Sequence, residues 1–306
     1  MAASKEPRNP VGHESLISRL DWPIIAFFVL AYLIAWSMIP LLDLIAQQSG
    51  IPDWIALNGM AETLSFNGVD LSVPGWLVYL ITRVQDFAFS IAGVIMIAYL
   101  YGRDGLQELG RRLIKWRVGW RWWLAAFIPF GLYLIAAAVA GALGTLTFSM
   151  DTLYAILFSA QAGFLVTLLL RGPMGEELGL RGFALPRMQG YMSPFRASVI
   201  IGILWAGWHL PVLLGRDIVS IVAFLLLAFF LSFIFTWLFN GSGGSLLTVL
   251  VFHACQNSEE VFEAIFPGLA GTDWELVSTL GLLIIGIVVA IWMWRSGRYP
   301  SVTLSG

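Results

Sequence analysis

The chain has 306 residues, of which 58% are hydrophobic and 12% charged, with a formal net charge of −2 and a mean hydropathy of +0.82. Soluble globular chains carry about 25% charged residues, so this composition marks an integral membrane protein. The balanced charge, without a block of one sign, excludes a nucleic-acid-binding tail, and the single cysteine, Cys255, excludes a disulfide framework or a cysteine-rich metal site.

Residues 1–22, MAASKEPRNPVGHESLISRLDW, are polar and read as a cytoplasmic tail in which His13 is incidental. The apolar run that follows is too long for a signal-peptide core and has no small-residue cleavage site, so it reads as an uncleaved first span. Runs of about twenty apolar residues then predict helices near 23–45, 75–100, 122–147, 153–189, 197–214, 218–239, 244–262 and 274–294. The expectation is an all-α, polytopic integral membrane protein of about eight transmembrane helices. A single membrane-embedded domain would cover 23–295, and 296–306 would be a cytoplasmic tail. Lys5, Arg8 and Arg19, the six bases of 102–121, Arg187 with Arg196, and Arg295 with Arg298 fall on one side, against Arg216 on the other. The positive-inside rule therefore puts both termini in the cytoplasm. The stretch RRLIKWRVGWRWW, residues 111–123, interleaves bases with tryptophans and predicts an interfacial helix. No phosphate-cradling glycine loop is present.

Polar groups inside the later spans are costly in a bilayer and point to function. They are Glu176 and Glu177 in GEELGLRGFALP, His209 in ILWAGWHLP, and His253 with Asn257 in VFHACQNS. A rise of ~1.5 Å per residue puts Glu176 about 16 Å from Arg187, His209 about 20 Å from Arg196, and His253 and Asn257 about 14 and 20 Å from Gly244. All four reach a similar level. Glu177 and Arg181, four apart, share a helix face and can form an ion pair. Glu176 lies about 100° around the helix and is free to face the two imidazoles and the amide. Such a set suits acid–base work on a water and an acyl oxygen. The sequence Arg171-Gly172-Pro173 either kinks the fourth span or starts a new helix at Pro173.

These three motifs, Glu176-Glu177-x-x-x-Arg181, Trp205-x-x-x-His209 and His253-x-x-x-Asn257, resemble the pattern of the CAAX-processing and bacteriocin-processing intramembrane proteases, the Abi or type II CAAX prenyl endopeptidase family. The resemblance covers about residues 170–260, and Trp205 stands where the family usually has Phe. It implies an endopeptidase acting on membrane-associated or lipidated peptides, including prenylated CAAX tails, in a bacterial or archaeal cell membrane. Glu176 and His209 would activate water, His253 and Asn257 would hold the oxyanion, and Glu177 with Arg181 would support the helix. No cofactor is expected. Zinc on two histidines and a carboxylate is the competing reading, although HExxH is absent.

Elsewhere Arg83 and Asp86 read as a buried ion pair, Cys255 as a packed small residue, and Glu259 and Glu260 as solvated. Two other functions use the same residues: a proton-coupled transporter with Glu176 and the histidines as relay, and a non-catalytic scaffold. The lack of inverted repeats counts against the transporter.

Overall fold

The computed structural model describes residues 22–63, 65–66, 68–142, 154, 160–266, 269, 274–297 and 300–304. The tail with Lys5, Arg8, His13 and Arg19, the end of the third expected span, most of the start of the fourth, and Arg298 lie outside the described residues. All regular structure among the described residues is helical.

Helix α1, Trp22–Gln48, is followed by α2, Trp54–Thr63, a short helix not expected from the hydropathy. Next come α3, Gly75–Asp86, and α4, Ala88–Leu113, bent by 61° at Phe87. The pair α5, Trp120–Ala126, and α6, Ile128–Ala142, bends by 54°. The 111–123 stretch is therefore not one interfacial helix: α4 stops at Leu113, a turn intervenes, and α5 starts at Trp120.

The fourth expected span is broken. Helix α7, Ala160–Leu170, ends at an extended Arg171 (φ −122°, ψ −162°), and α8, Gly172–Gly179, begins with Pro173 in its first turn. A proline there lacks only an N–H that would have had no partner. After α8 the chain widens into a π-helical segment, Leu180–Ala184, and closes with α9, Leu185–Met188. Helix α10, Pro194–Trp208, is capped by the Ser193 hydroxyl and stops before His209, ahead of the short α11, Leu210–Leu213. Helix α12, Ile218–Gly241, is capped by Asp217. Helix α13, Leu246–Gln256, stops before Asn257, and α14, Glu259–Ile265, and α15, Trp274–Ser296, complete the chain.

Three helices, α1, α12 and α15, are long and apolar enough to cross a bilayer alone, or five spans if each bent pair counts as one, among the described residues. Among the described residues each of the eight expected apolar runs contains helix, but outside these spans the helices are short or broken. Outward-facing Leu33, Val219 and Ile284 are 63%, 73% and 60% exposed, as suits a lipid-facing surface.

The interior is aromatic, with Phe27, Phe89, Phe183, Phe235 and Phe252 buried together. Helix α8 is pressed onto α3 and α4 through glycines. A Cβ at Gly175 would lie 2.4 Å from the Asp86 carbonyl oxygen, and one at Gly179 only 2.1 Å from that of Phe89. This small-xxx-small spacing lets backbones touch, and dispersion and polar contacts then replace the hydrophobic drive that lipid does not provide. The Ser90 hydroxyl adds a bond to the Met174 carbonyl at 2.7 Å. Arg83 and Asp86 pair at 2.9 Å as expected, and Cys255 is fully buried in the core. Glu260 is exposed and paired with Arg171 at 3.2 Å, whereas Glu259 is partly buried rather than solvated.

Gly179→Ala is expected to lower thermal stability in detergent by about 1–3 kcal/mol through overpacking. Gly110→Ala, where a Cβ would meet nothing within 4 Å, should unfold at or above the wild-type temperature.

Candidate active site

The site forms where broken helices end. Glu176 lies in the first turns of α8, just past the break at Arg171. His209 is the C-cap of α10 and Asn257 the C-cap of α13, whose last turn carries His253. All four side chains, with Trp205, line one cavity of about 80 Å³. Glu176 and His253 are buried, while His209 and Asn257 are partly exposed to that cavity.

Glu177 faces the other way and is wholly buried. It accepts from Arg181 Nη1 at 3.1 Å and from His253 Nδ1 at 2.8 Å, so one carboxylate serves two partners. The expected ion pair is present, and the bond to His253 is additional. Arg181 is also fully buried. Its Nε and Nη2 find no hydrogen-bond acceptor, but the guanidinium lies 4.5 Å from the Phe235 ring centroid and 5.4 Å from that of Trp205. Desolvated cation–π contacts of this kind offset part of the burial cost.

The hydrogen bonds set the imidazoles. His253 Nδ1 must carry a proton to meet a carboxylate, which turns Nε2 toward the cavity. His209 Nδ1 donates to the Trp205 carbonyl oxygen at 2.8 Å, leaving its Nε2 lone pair free as an acceptor. Trp205 holds Glu176 as well, its indole Nε1–H donating to Oε2. A phenylalanine at this position could not make that bond. The indole also stands edge-on to both imidazoles, with centroids 5.6 and 5.9 Å away.

The sequence marked Gly172 as part of a possible helix break and not as a residue of the site. A Cβ on it would lie 2.9 Å from Glu176 Oε1, 3.2 Å from Asn257 Nδ2 and 3.6 Å from His253 Nε2. The three groups thus converge on the space that this missing side chain leaves open. Its place after the helix break, before Pro173, is the one signal the sequence offered.

A structural zinc site needs four ligands and a catalytic one three. Among the described residues, no three His, Cys, Asp or Glu side chains come together closely enough to hold a metal ion. Both imidazoles have an anchored Nδ1 of the kind metal ligands use.

Residues 158–258, the segment carrying all three motifs, match the family described as Type II CAAX prenyl endopeptidase Rce1-like. A CAAX prenyl protease 2 from Methanococcus maripaludis is 28% identical over 145 residues, 44% of this chain and 52% of the relative. The chain thus spans about half the length of the curated relative it matches. Both similarities support the CAAX and Abi protease family for this segment.

Glu177→Gln is expected to be strongly destabilising, by about 3–5 kcal/mol, because it strands the buried Arg181 charge. A large fall in the detergent melting temperature checks this, and an unchanged value would contradict it.

Proposed function

We propose that the chain is an intramembrane endopeptidase that cleaves membrane-associated or lipidated peptides with a water activated by Glu176 and His209. The observation that carries this reading is the convergence of Glu176 Oε1, Asn257 Nδ2 and His253 Nε2 on the space above Gly172. The family match supports the reaction class, and the relative's name suggests a prenylated CAAX tail as substrate.

In this reading Trp205 holds Oε2 of Glu176, so Oε1 is the atom that takes a proton from water. His209 Nε2 accepts the water's second hydrogen bond and aims its lone pair. The water oxygen bonds to the peptide carbonyl carbon while its proton passes to Glu176. Negative charge then collects on the carbonyl oxygen, where the Asn257 amide donates. His253 donates as well when its Nε2 is protonated, and Glu177 on the far side supplies the counter-charge. The proton on Glu176 moves to the leaving nitrogen as the C–N bond breaks. Buried donors fixed before the reaction need no reorganisation during it.

At about 80 Å³ the cavity exceeds the roughly 10–15 Å³ that one water needs, so it can hold the water that the reaction uses. Phe224 of α12 packs against the His209 ring, with centroids 5.0 Å apart, and so forms part of the wall a substrate would meet.

Glu176→Gln is expected to abolish cleavage of a prenylated model peptide by the purified, folded protein. Asn257→Ala should slow turnover about 100- to 1,000-fold with little change in KM. Cleavage undiminished in Glu176→Gln would overturn the assignment. Proton-coupled uptake into vesicles without any cleavage would favour a transporter instead.

Trp205→Phe removes a hydrogen bond to a charged group, of about 1.5–3 kcal/mol, and is expected to lower kcat at unchanged KM. Activity is expected to survive exhaustive chelation. Loss on chelation with recovery on adding zinc alone would reinstate a metal mechanism.

A further inference from the structure

The bases in the last turn of α4 and beyond it are distributed unequally. Arg111 and Arg112 share Glu108, at 2.9 and 2.8 Å. Beyond Leu113 stand Lys115, Arg117 and Arg121, all exposed. Among the described residues none of these three is ion-paired with a carboxylate. Lys115 Nζ donates to the Gly243 carbonyl oxygen at 2.7 Å. The guanidiniums of Arg117 and Arg121 lie over the Trp116 and Trp122 rings, at 5.1 and 5.4 Å from the centroids. Trp116 and Trp120 are themselves 60% and 75% exposed.

Beside Arg121 a cavity of about 460 Å³ opens between α5, α12 and α15, walled by Trp122, Trp237 and Trp292. Its shape depends on Gly241, where a Cβ would lie 1.9 Å from the Trp122 ring. Asn240, the other non-aromatic polar side chain among the described lining residues, is bonded to Gln189 and to the Val302 amide. Among the described residues the cavity therefore offers one cation at its mouth, indole walls inside and no carboxylate.

We propose that this cavity is a binding site for an anionic phospholipid, with the headgroup phosphate on Arg121 and the glycerol and upper acyl chains against the three indoles. Lys115 and Arg117 supply the surrounding positive field, which favours net negative headgroups and disfavours the ammonium of a zwitterionic one. Indole rings prefer the headgroup level because they pair an apolar body with one N–H donor. Charge complementarity selects this occupant over an uncharged lipid. The site is distinct from the cavity around Glu176 and does not depend on its chemistry.

The test uses the full chain in nanodiscs of phosphatidylcholine containing about one-third phosphatidylglycerol. Lipid retained after transfer to detergent is counted by native mass spectrometry, and brominated phosphatidylglycerol serves as a tryptophan quencher. Retention of phosphatidylglycerol over phosphatidylcholine is expected to be on the order of tenfold or more, from about three nearby cations. The triple variant Lys115→Gln, Arg117→Gln, Arg121→Gln should lose that preference, and the single Arg121→Gln should lose most of the quenching. Arg216→Gln, an exposed base elsewhere, should retain both. Equal retention of the two lipids, or a preference unchanged in the triple variant, would overturn the proposal. Displacement by an excess of inorganic phosphate would overturn it too, because the site would then read phosphate alone.

Discussion

The buried carboxylate of Glu177, shared between Arg181 and His253, is the interaction on which the rest of the site depends. None of the three has more than marginal exposure, so each polar group needs its partner inside the molecule. Glu177 comes from α8, Arg181 from the π segment and His253 from α13. The rings over Arg181 belong to Trp205 of α10 and Phe235 of α12. One internal charge thus draws four helices and the π segment to one place. It also dictates which imidazole nitrogen of His253 faces the cavity, so stability and chemistry meet at the same carboxylate.

Interrupted helices do the positioning. The break at Arg171 brings Gly172 under Glu176, Asn257 and His253. Helix α10 ends so that the Trp205 carbonyl can receive His209 Nδ1. The close glycine contacts of Gly175 and Gly179 with α3 and α4 fix the rotation of α8. That rotation sends Glu177 inward to its two partners and leaves Glu176 at the cavity wall. The π segment that follows carries Arg181 without losing its bond across to Glu177.

How much of this was legible follows from the range of each signal. The Glu177–Arg181 pair and the His253–Asn257 pair are i,i+4 contacts, which a sequence states directly. Counting residues from Arg187, Arg196 and Gly244 put Glu176, His209, His253 and Asn257 at a common level, and the structure gathers them around one cavity. The Glu177–His253 bond joins residues 76 apart in the chain, so no local spacing could announce it. Gly172 and the indole donor of Trp205 were missed for the same reason. Their meaning lies in what stands opposite, not in their neighbours. Helix breaks were harder still: Arg171-Gly172-Pro173 left kink and restart both open, and the extended backbone of Arg171 is a tertiary outcome. The span count suffers likewise, since bends of 61° and 54° fall inside the runs expected at 75–100 and 122–147.

The measurement that tests the central claim most directly is the protonation pattern of His253. With only three histidines in the chain, nitrogen-15 histidine labelling and substitution of His13 and His209 in turn assign every ring signal. The expected result is a proton on Nδ1 of His253 in a strong hydrogen bond to a carboxylate, with Nε2 facing the cavity. A His253 ring that carries its only proton on Nε2, with Nδ1 bare, would contradict the shared Glu177 carboxylate and the site built on it.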